Sequence, residues 1–158
     1  LHPFDLSGVV DSIVETCRDE YPDATIRVSF PEELWVISHP AIELAIENLC
    51  ENACVHNPSS NPHLTIEGDV RDSVATLTIE DDGPGLPASE LSVLERGEES
   101  SLEHTSGIGL WIAQWVVEYT GGTLRFDADE SGTTATIELE ACSPEDGDDV
   151  DLIPCEDV

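Results

Sequence analysis

Three short segments carry side chains and glycines of the kinds that could bind a cation, an amine and phosphate oxygens. In the first, apolar residues after Pro40 recur at helical spacing, and Asn48, Asn52 and His56 follow each other at intervals of four. Residues four apart lie along one line of a helix. An amide oxygen can ligate a hard cation such as Mg²⁺ without adding charge. The segment therefore predicts a helix whose polar flank could hold a cation.

The second segment, Asp81 to Gly85, reads Asp-Asp-Gly-Pro-Gly and directly follows a predicted strand. An aspartate at the end of a strand can accept a hydrogen bond from an exocyclic amine. Glycines such as Gly83 and Gly85 let the backbone approach a flat ring closely. The segment therefore predicts a place where a planar, amine-bearing ring could be bound.

The third segment, Ser106 to Leu110, places Gly107 and Gly109 at the start of a predicted apolar helix. Free N–H groups and the positive end of the helix dipole suit phosphate oxygens there. Each segment alone also has an ordinary structural explanation: a solvated helix flank, a turn, or a glycine-containing loop. Only their order and spacing together indicate a function.

The elements that position these segments follow from hydrophobic periodicity. Helical spacing predicts helices over residues 6–20, 40–56 and 108–119, with a short additional helix near residues 88–95. Period-two alternation predicts strands over residues 25–30, 34–37, 63–70, 74–80, 123–126 and 133–139. This order predicts an α+β fold, a two-layer α/β sandwich with a mixed, mostly antiparallel sheet and helices on one face.

In this order, the segments resemble the ATP-binding domain of sensor histidine kinases, in the superfamily that also holds gyrase, heat-shock chaperone ATPases and mismatch-repair ATPases. The N-box, Asn-Leu-x-x-Asn-Ala, stands at residues 48–53, the G1 box, Asp-x-Gly-x-Gly, at 81–85, and the G2 glycines at 107–110. Residues 132–134, Gly-Thr-Thr, match before the last strand. The resemblance spans about residues 4–140. It implies the histidine-kinase/gyrase-type ATPase fold and a Mg-ATP-binding catalytic domain of a two-component sensor histidine kinase.

By that resemblance, Asn52 would ligate Mg²⁺, Asp81 would bind the adenine amine of ATP, and residues 86–106 would form a lid. The other implied ATP-binding residues belong to the same boxes and their flanks: Asn48, His56, Gly83, Gly85, Leu86, Ser106, Gly107, Ile108, Gly109, Leu110 and Thr133.

Arg96 is the only cation between Asp81 and Gly122. Many members of the family carry Lys or Arg where this chain has Val55. Arg96 could therefore replace that missing phosphate contact from within the lid. The alternative is a solvated arginine paired with a neighbouring lid glutamate, and both interpretations stay open.

The resemblance also implies where the reaction's other parts lie. Gyrase-like members carry a catalytic glutamate where this chain has Asn48, which favours a kinase over an enzyme that splits ATP with water. The phosphoacceptor histidine is expected outside this chain, on a dimerisation hairpin, with a response regulator downstream, so no catalytic residue is assigned here. The alternative is a stand-alone nucleotide-binding regulator resembling anti-sigma-factor serine kinases.

The charge of the chain is extreme, with 35 acidic residues against 5 basic ones and a net charge of -30. The acids are dispersed, which suits a surface adapted to molar salt. Mimicry of nucleic acid or recruitment of basic partners is the alternative. Nucleic-acid binding is disfavoured. The absence of lysine, with Trp111 and Trp115 in the last helix, looks like haloarchaeal members of the family.

The remaining features bound the chain's environment. No apolar run reaches the roughly 18 residues that span a bilayer, so we expect no membrane insertion by this segment and a cytoplasmic location, even where the full-length kinase is membrane-anchored. Five cysteines without a secretory signal argue against a disulfide framework. Cys50 and Cys54 are interpreted as small buried hydrophobes. We expect an ATP-binding domain over residues 1–141 and an acidic disordered tail over 142–158.

The charge generates a testable prediction about folding. The chain has a net charge of -30, so in dilute buffer its carboxylates should repel one another. In molar salt the screening length falls to about 3 Å and this repulsion weakens. The free energy of unfolding, followed by circular dichroism, should therefore rise steeply between about 0.1 M and multimolar KCl. A flat dependence would mean that the acids serve something other than adaptation to salt.

Overall fold

The computed structural model describes residues 1–55, 60–83, 105–129 and 131–143. Its three helices in this part of the chain are α1 (Leu6–Glu20), α2 (Ile42–Val55) and α3 (Thr105–Tyr119). The strands are β1 (His2–Asp5), β2 (Thr25–Ser29), β3 (Trp35–Ser38), β4 (His63–Arg71), β5 (Val74–Asp81), β6 (Thr123–Asp129) and β7 (Gly132–Glu140). The short helix expected near residues 88–95 lies outside the described residues, and so does the expected tail over 142–158 from residue 144 onward.

The main sheet has the strand order β2-β4-β5-β7-β6. Only β2 runs parallel to its neighbour β4, and the other described pairs are antiparallel. The β4–β5 hairpin turns through Asp72 and Ser73, whose φ angles of 49° and 67° are both left-handed. Two positive φ angles are what a two-residue type I′ hairpin turn requires. The predicted mixed, mostly antiparallel α+β fold is confirmed.

A second, two-stranded sheet pairs β1 with β3 in antiparallel register. Strand β1 was not predicted, because four residues that include a proline are too short to show a period. Asp5 ends this strand and caps α1: its Oδ1 accepts hydrogen bonds from the backbone N of Ser7 and of Leu34, each at 3.0 Å. One carboxylate therefore joins α1 to the segment that leads into β3.

Helix α2 buries the side predicted to face the sheet. Its apolar residues at helical spacing are almost fully buried: Ile42, Ala45, Ile46, Leu49 and Ala53. The helix begins at Ile42 and not at Pro40, because the preceding turn has the hydrogen bonds of a 3₁₀-helix, from each N–H to the carbonyl three residues earlier. These bonds run from Ile42 N to His39 O and from Glu43 N to Pro40 O. The His39 ring completes this start, since its Nδ1 accepts from Ala41 N at 3.0 Å.

Helix α3 begins at Thr105, three residues before the predicted start at Ile108. Glycine is a poor helix former, so the glycines at 107 and 109 hide this first turn in the sequence. The predicted stop is confirmed: Gly121 adopts φ +84° and Gly122 N donates to Val117 O at 3.0 Å. No helix in the described ranges is long and apolar enough to cross a membrane.

Gly132 opens β7 with a φ of +147°, a conformation that side chains rarely adopt. A Cβ atom at this position would collide with the carbonyl oxygen of Asp81, the last residue of β5. Glycine is therefore required where the start of β7 meets the end of β5.

We expect Gly132→Ala to lower the free energy of unfolding by about 3 kcal/mol or more, because it adds backbone strain to a steric clash. The matched control is Gly8→Ala in α1, where a Cβ would meet nothing within 4 Å. This control should stabilise the chain by about 0.5–1 kcal/mol. Urea unfolding in molar KCl measures both. Equal stability of the two variants would contradict the proposed constraint at residue 132.

Candidate nucleotide-binding site

Helix α2 carries the two asparagines of the N-box on one flank. Asn48 and Asn52 are both half-buried, at the boundary between the buried apolar side and the exposed side of the helix. No hydrogen bond joins either amide to another residue within the described ranges. His56, the third residue in this line, lies outside the described residues.

Asp81 ends β5, and its carboxylate is held by the backbone on two sides. Its Oδ1 accepts from Gly83 N at 2.9 Å and from Thr133 N at 3.4 Å. The second bond crosses the sheet, because the antiparallel register pairs Asp81 with Thr133, 52 residues later. Three predicted site residues, Asp81, Gly83 and Thr133, are thus brought together by one carboxylate oxygen.

Burial is the main cause that raises the pKa of Asp81 above its ordinary value, and the charges of Asp82 and Glu80 add to it. The N–H groups of Gly83 and Thr133 act in the opposite direction because they stabilise the ionised form. A carboxylate fixed through one oxygen in a half-buried position can use its other oxygen to accept from an amine. This geometry suits recognition of an exocyclic amine on a planar ring.

The neighbouring Asp82 bonds to a different strand. Its Oδ1 accepts from His63 N at 2.9 Å, and its own N–H donates to His63 O at 3.3 Å. These bonds tie the chain after β5 to the start of β4. The two adjacent carboxylates therefore bond to different strands: Asp81 accepts from β7 and Asp82 from β4.

The N-box helix and the Asp81 junction are close in space. Helix α2 packs on both β4 and β5, and Cys54, two residues after Asn52, lies near enough to Asp81 for their charges to interact. Cys54 also shares a thiol hydrogen bond with Cys17 of α1. This contact raises the pKa of Cys17 and lowers that of Cys54. Both thiols are free and buried, as is Cys50, which confirms the interpretation of Cys50 and Cys54 as small buried hydrophobes.

The G2 segment lies in the first turn of α3, and α3 packs against α2. The first N–H groups of a helix have no partner within it, so in a helix that begins at Thr105 the backbone of residues 105–107 presents donors suited to phosphate oxygens, whereas the N–H groups of residues 109 and 110 bond within the helix. The structure describes the backbone of this turn but not its side chains. Gly85, Leu86 and Arg96 lie outside the described residues, and their predicted contacts with ATP stay predictions.

Sequence reasoning did not place Gly132 among the site residues. The Asp81 arrangement nevertheless requires a glycine there, because a Cβ atom at position 132 would collide with the Asp81 carbonyl oxygen. The signal for this glycine in the sequence is Gly-Thr-Thr at 132–134, which places a glycine directly before the last predicted strand. No cluster of three or more His, Cys, Asp or Glu side chains that could hold a metal occurs in the described part of the chain.

Comparison with known proteins gives the same family. The family described as "Histidine kinase-, DNA gyrase B-, and HSP90-like ATPase" matches residues 38–142. Among curated proteins, the sensor protein KdpD of Escherichia coli is 31% identical over 121 residues, which is 72% of this chain and 13% of KdpD. The two-component sensor PhoQ of Pseudomonas aeruginosa is 28% identical over 139 residues, 83% of this chain and 30% of PhoQ. The chain thus spans less than a third of either relative.

Solved structures agree with the observed architecture. The mycobacterial sensor histidine kinase MprB is 31% identical with a TM-score of 0.74, covering 89% of this chain and 98% of the solved one. The catalytic domain of histidine kinase ThkA has a TM-score of 0.76 at 18% identity, covering 87% and 93%, and supports the fold alone. The chain therefore belongs to the histidine kinase-, DNA gyrase B- and HSP90-like ATPase family, as an ATP-binding domain of the sensor histidine kinase type.

Proposed function

We propose that this chain binds Mg-ATP and donates the γ-phosphate to a histidine on a separate dimerisation hairpin, from which a response regulator receives it. The observation that carries the proposal is the Asp81 carboxylate, held by Gly83 and Thr133 and adjacent to the N-box helix. The relatives reported above are sensor kinases and give no support to the alternative of a stand-alone regulator.

Asp81 binds adenine in this proposal. With Oδ1 accepting from two backbone N–H groups, the carboxylate cannot rotate freely, and its second oxygen accepts from the adenine amine. Guanine carries a carbonyl at that position, which would face a carboxylate oxygen with no proton between them. The site therefore selects ATP over GTP.

Mg²⁺ fits the donor set that α2 offers. Magnesium is usually held by one or two protein ligands together with substrate phosphates and waters, and a half-buried amide such as that of Asn52 meets this need. Asn48 lies one turn earlier on the same flank. Residues 106–110 are proposed to bind the phosphates, and His56 and Arg96 remain predicted contacts with ATP, with the solvated interpretation of Arg96 still open. Bound Mg²⁺ would neutralise charge on the phosphates during phosphoryl transfer.

Water is a poor acceptor in this arrangement. Asn48 supplies no general base, since an amide does not take up a proton near neutral pH. Transfer therefore depends on a nucleophile brought by another segment, whose main contribution is proximity. The chain alone is expected to bind ATP and to hydrolyse it only slowly.

The setting of the domain is part of the proposal. The acidic surface is little neutralised: in the described ranges Arg71 pairs with Asp69 and Arg125 with Glu138, and both arginines are largely exposed. Such pairs contribute little to stability. We propose a cytoplasmic, salt-adapted domain over residues 1–141, similar to haloarchaeal kinases, followed by an acidic tail over 142–158.

Asp81→Asn tests adenine recognition. Loss of the ionised acceptor should weaken ATP binding by about 1.5–3 kcal/mol, the range for a hydrogen bond to a charged group. Binding to the parent should also weaken on acidification, because protonation removes the acceptor and the pKa of Asp81 is raised. Isothermal titration with Mg-ATP in multimolar KCl measures both effects.

The matched control is Asp82→Asn, which makes the same change one residue later and keeps an oxygen for His63 N. This variant should bind ATP like the parent, and the parent should bind GTP poorly. Equal affinity of the parent for ATP and GTP would contradict the assignment of Asp81.

Phosphoryl transfer is tested with labelled ATP. The chain alone should stay unlabelled, whereas adding the hairpin of the full-length kinase in trans should label the hairpin with acid-labile phosphate. Asn52→Ala should abolish labelling and the Mg²⁺ dependence of ATP binding. Glu47→Ala, an exposed change on the same helix, should leave both intact.

A hairpin with its histidine replaced by glutamine should remain unlabelled, which identifies the acceptor. Robust acid-labile labelling of the isolated chain would contradict the proposal, because it would locate the acceptor within these 158 residues.

A further inference from the structure

Helix α3 carries three aromatic residues at intervals of four, Trp111, Trp115 and Tyr119, called here the aromatic stripe. The Trp111 and Trp115 rings are stacked with centroids 6.5 Å apart and planes within 5°. Trp115 and Tyr119 are stacked at 6.1 Å and 27°. The His39 ring closes the row with an edge contact to Tyr119 at 5.9 Å. The rings thus form one continuous row along the helix.

The outer part of this row is exposed. Trp111 packs against the hydrophobic core, but 57% of Trp115 and 65% of Tyr119 remain accessible. The whole chain has only 3 Trp and 2 Tyr, so three of these five residues form the stripe. Burial of large aromatic surface is favourable, and packing within the described chain leaves more than half of Trp115 and of Tyr119 accessible. A partner would supply that burial.

The charge around the stripe indicates the chemistry of the partner. Glu118 lies beside Tyr119 on the exposed side of α3, and its carboxylate accepts from Gln114 Nε2 at 2.7 Å. The whole chain carries a net charge of -30, which repels nucleic acid, anionic membranes and other acidic surfaces. The exposed parts of indole and phenol rings attract cations, and guanidinium groups are the cations that most readily pack against them.

We propose that the aromatic stripe binds an arginine-bearing helix of a protein partner, with guanidinium groups stacked on Trp115 and Tyr119. Side chains four apart on a helix are about 5–6 Å apart, which matches the 6.1 Å spacing of the two rings. Glu118 supplies a carboxylate for the N–H groups of the bound arginine. The inference does not depend on the proposed kinase activity.

The test uses a helical alanine-based peptide with two arginines four residues apart, titrated calorimetrically into the chain in 1 M KCl. This salt suppresses general attraction to the acidic surface while leaving stacking contacts largely intact. Replacing Trp115 and Tyr119 together by leucine keeps the charge and the apolar character of the helix but removes both ring faces. The parent should bind, and the double variant should bind about tenfold more weakly.

Two controls separate ring stacking from other effects. A peptide with citrulline in place of arginine keeps the shape but not the charge, and it should bind about as weakly as the arginine peptide binds the double variant. Leu44→Ala, at an exposed apolar residue of α2, should bind the arginine peptide like the parent. Tyr119→Leu alone, at a residue outside the core, gives the same comparison if the double variant fails to fold by circular dichroism.

Three outcomes would overturn the inference. One is unchanged binding of the arginine peptide when the ring faces are removed. Another is equal binding of arginine and citrulline peptides, which would make the stripe a purely apolar surface. The third is concentration-dependent dimerisation in sedimentation that the leucine variants abolish, which would make the occupant a second copy of this chain.

Discussion

The site depends on how the ends of β5 and β7 meet. The Asp81 carboxylate accepts from the backbone of Gly83 and of Thr133, and Gly132 lets the β7 chain pass beside the Asp81 carbonyl. The carboxylate is half-buried, so its ionised form carries a desolvation penalty that the two N–H groups partly offset. If the register of β5 on β7 slipped by one residue, the second donor would be lost and the carboxylate would point to the other face of the sheet.

This arrangement links folding to nucleotide recognition. The bond from Thr133 N that holds the Asp81 carboxylate also joins β5 to β7, so stability and the proposed adenine binding share this contact. Helix α2 brings the amide oxygens to the same region because its buried side packs on β4 and β5. The residue proposed to ligate the cation and the residue proposed to bind the base are therefore positioned by one core.

The surface is dominated by acidic side chains. The net charge of -30 is spread over a chain in which Arg71 and Arg125 form exposed pairs and Arg18 donates to the backbone carbonyl of Ile26 at 3.0 Å. Such contacts do not offset so many carboxylates, which supports the proposal that salt screens the charges of the compact state. Against this background the exposed rings of Trp115 and Tyr119 stand out, since they offer a partner an apolar contact within an anionic surface.

The amino-acid sequence by itself determined the element types, because the periods of 3.6 and 2 in the buried positions of α1, α2, β4 and β5 record which faces are buried. It also carried the three boxes, since their glycines and polar residues are local requirements of helix starts and turns. Only the tertiary structure decided the rest. Strand β1 exists because β3 pairs with it, and the first turn of α3 continues through glycines of low propensity. The bond from Thr133 to Asp81 spans 52 residues, and the need for glycine at 132 comes from a carbonyl across the sheet. Contacts between distant segments depend on register and packing, which no local pattern of residues records.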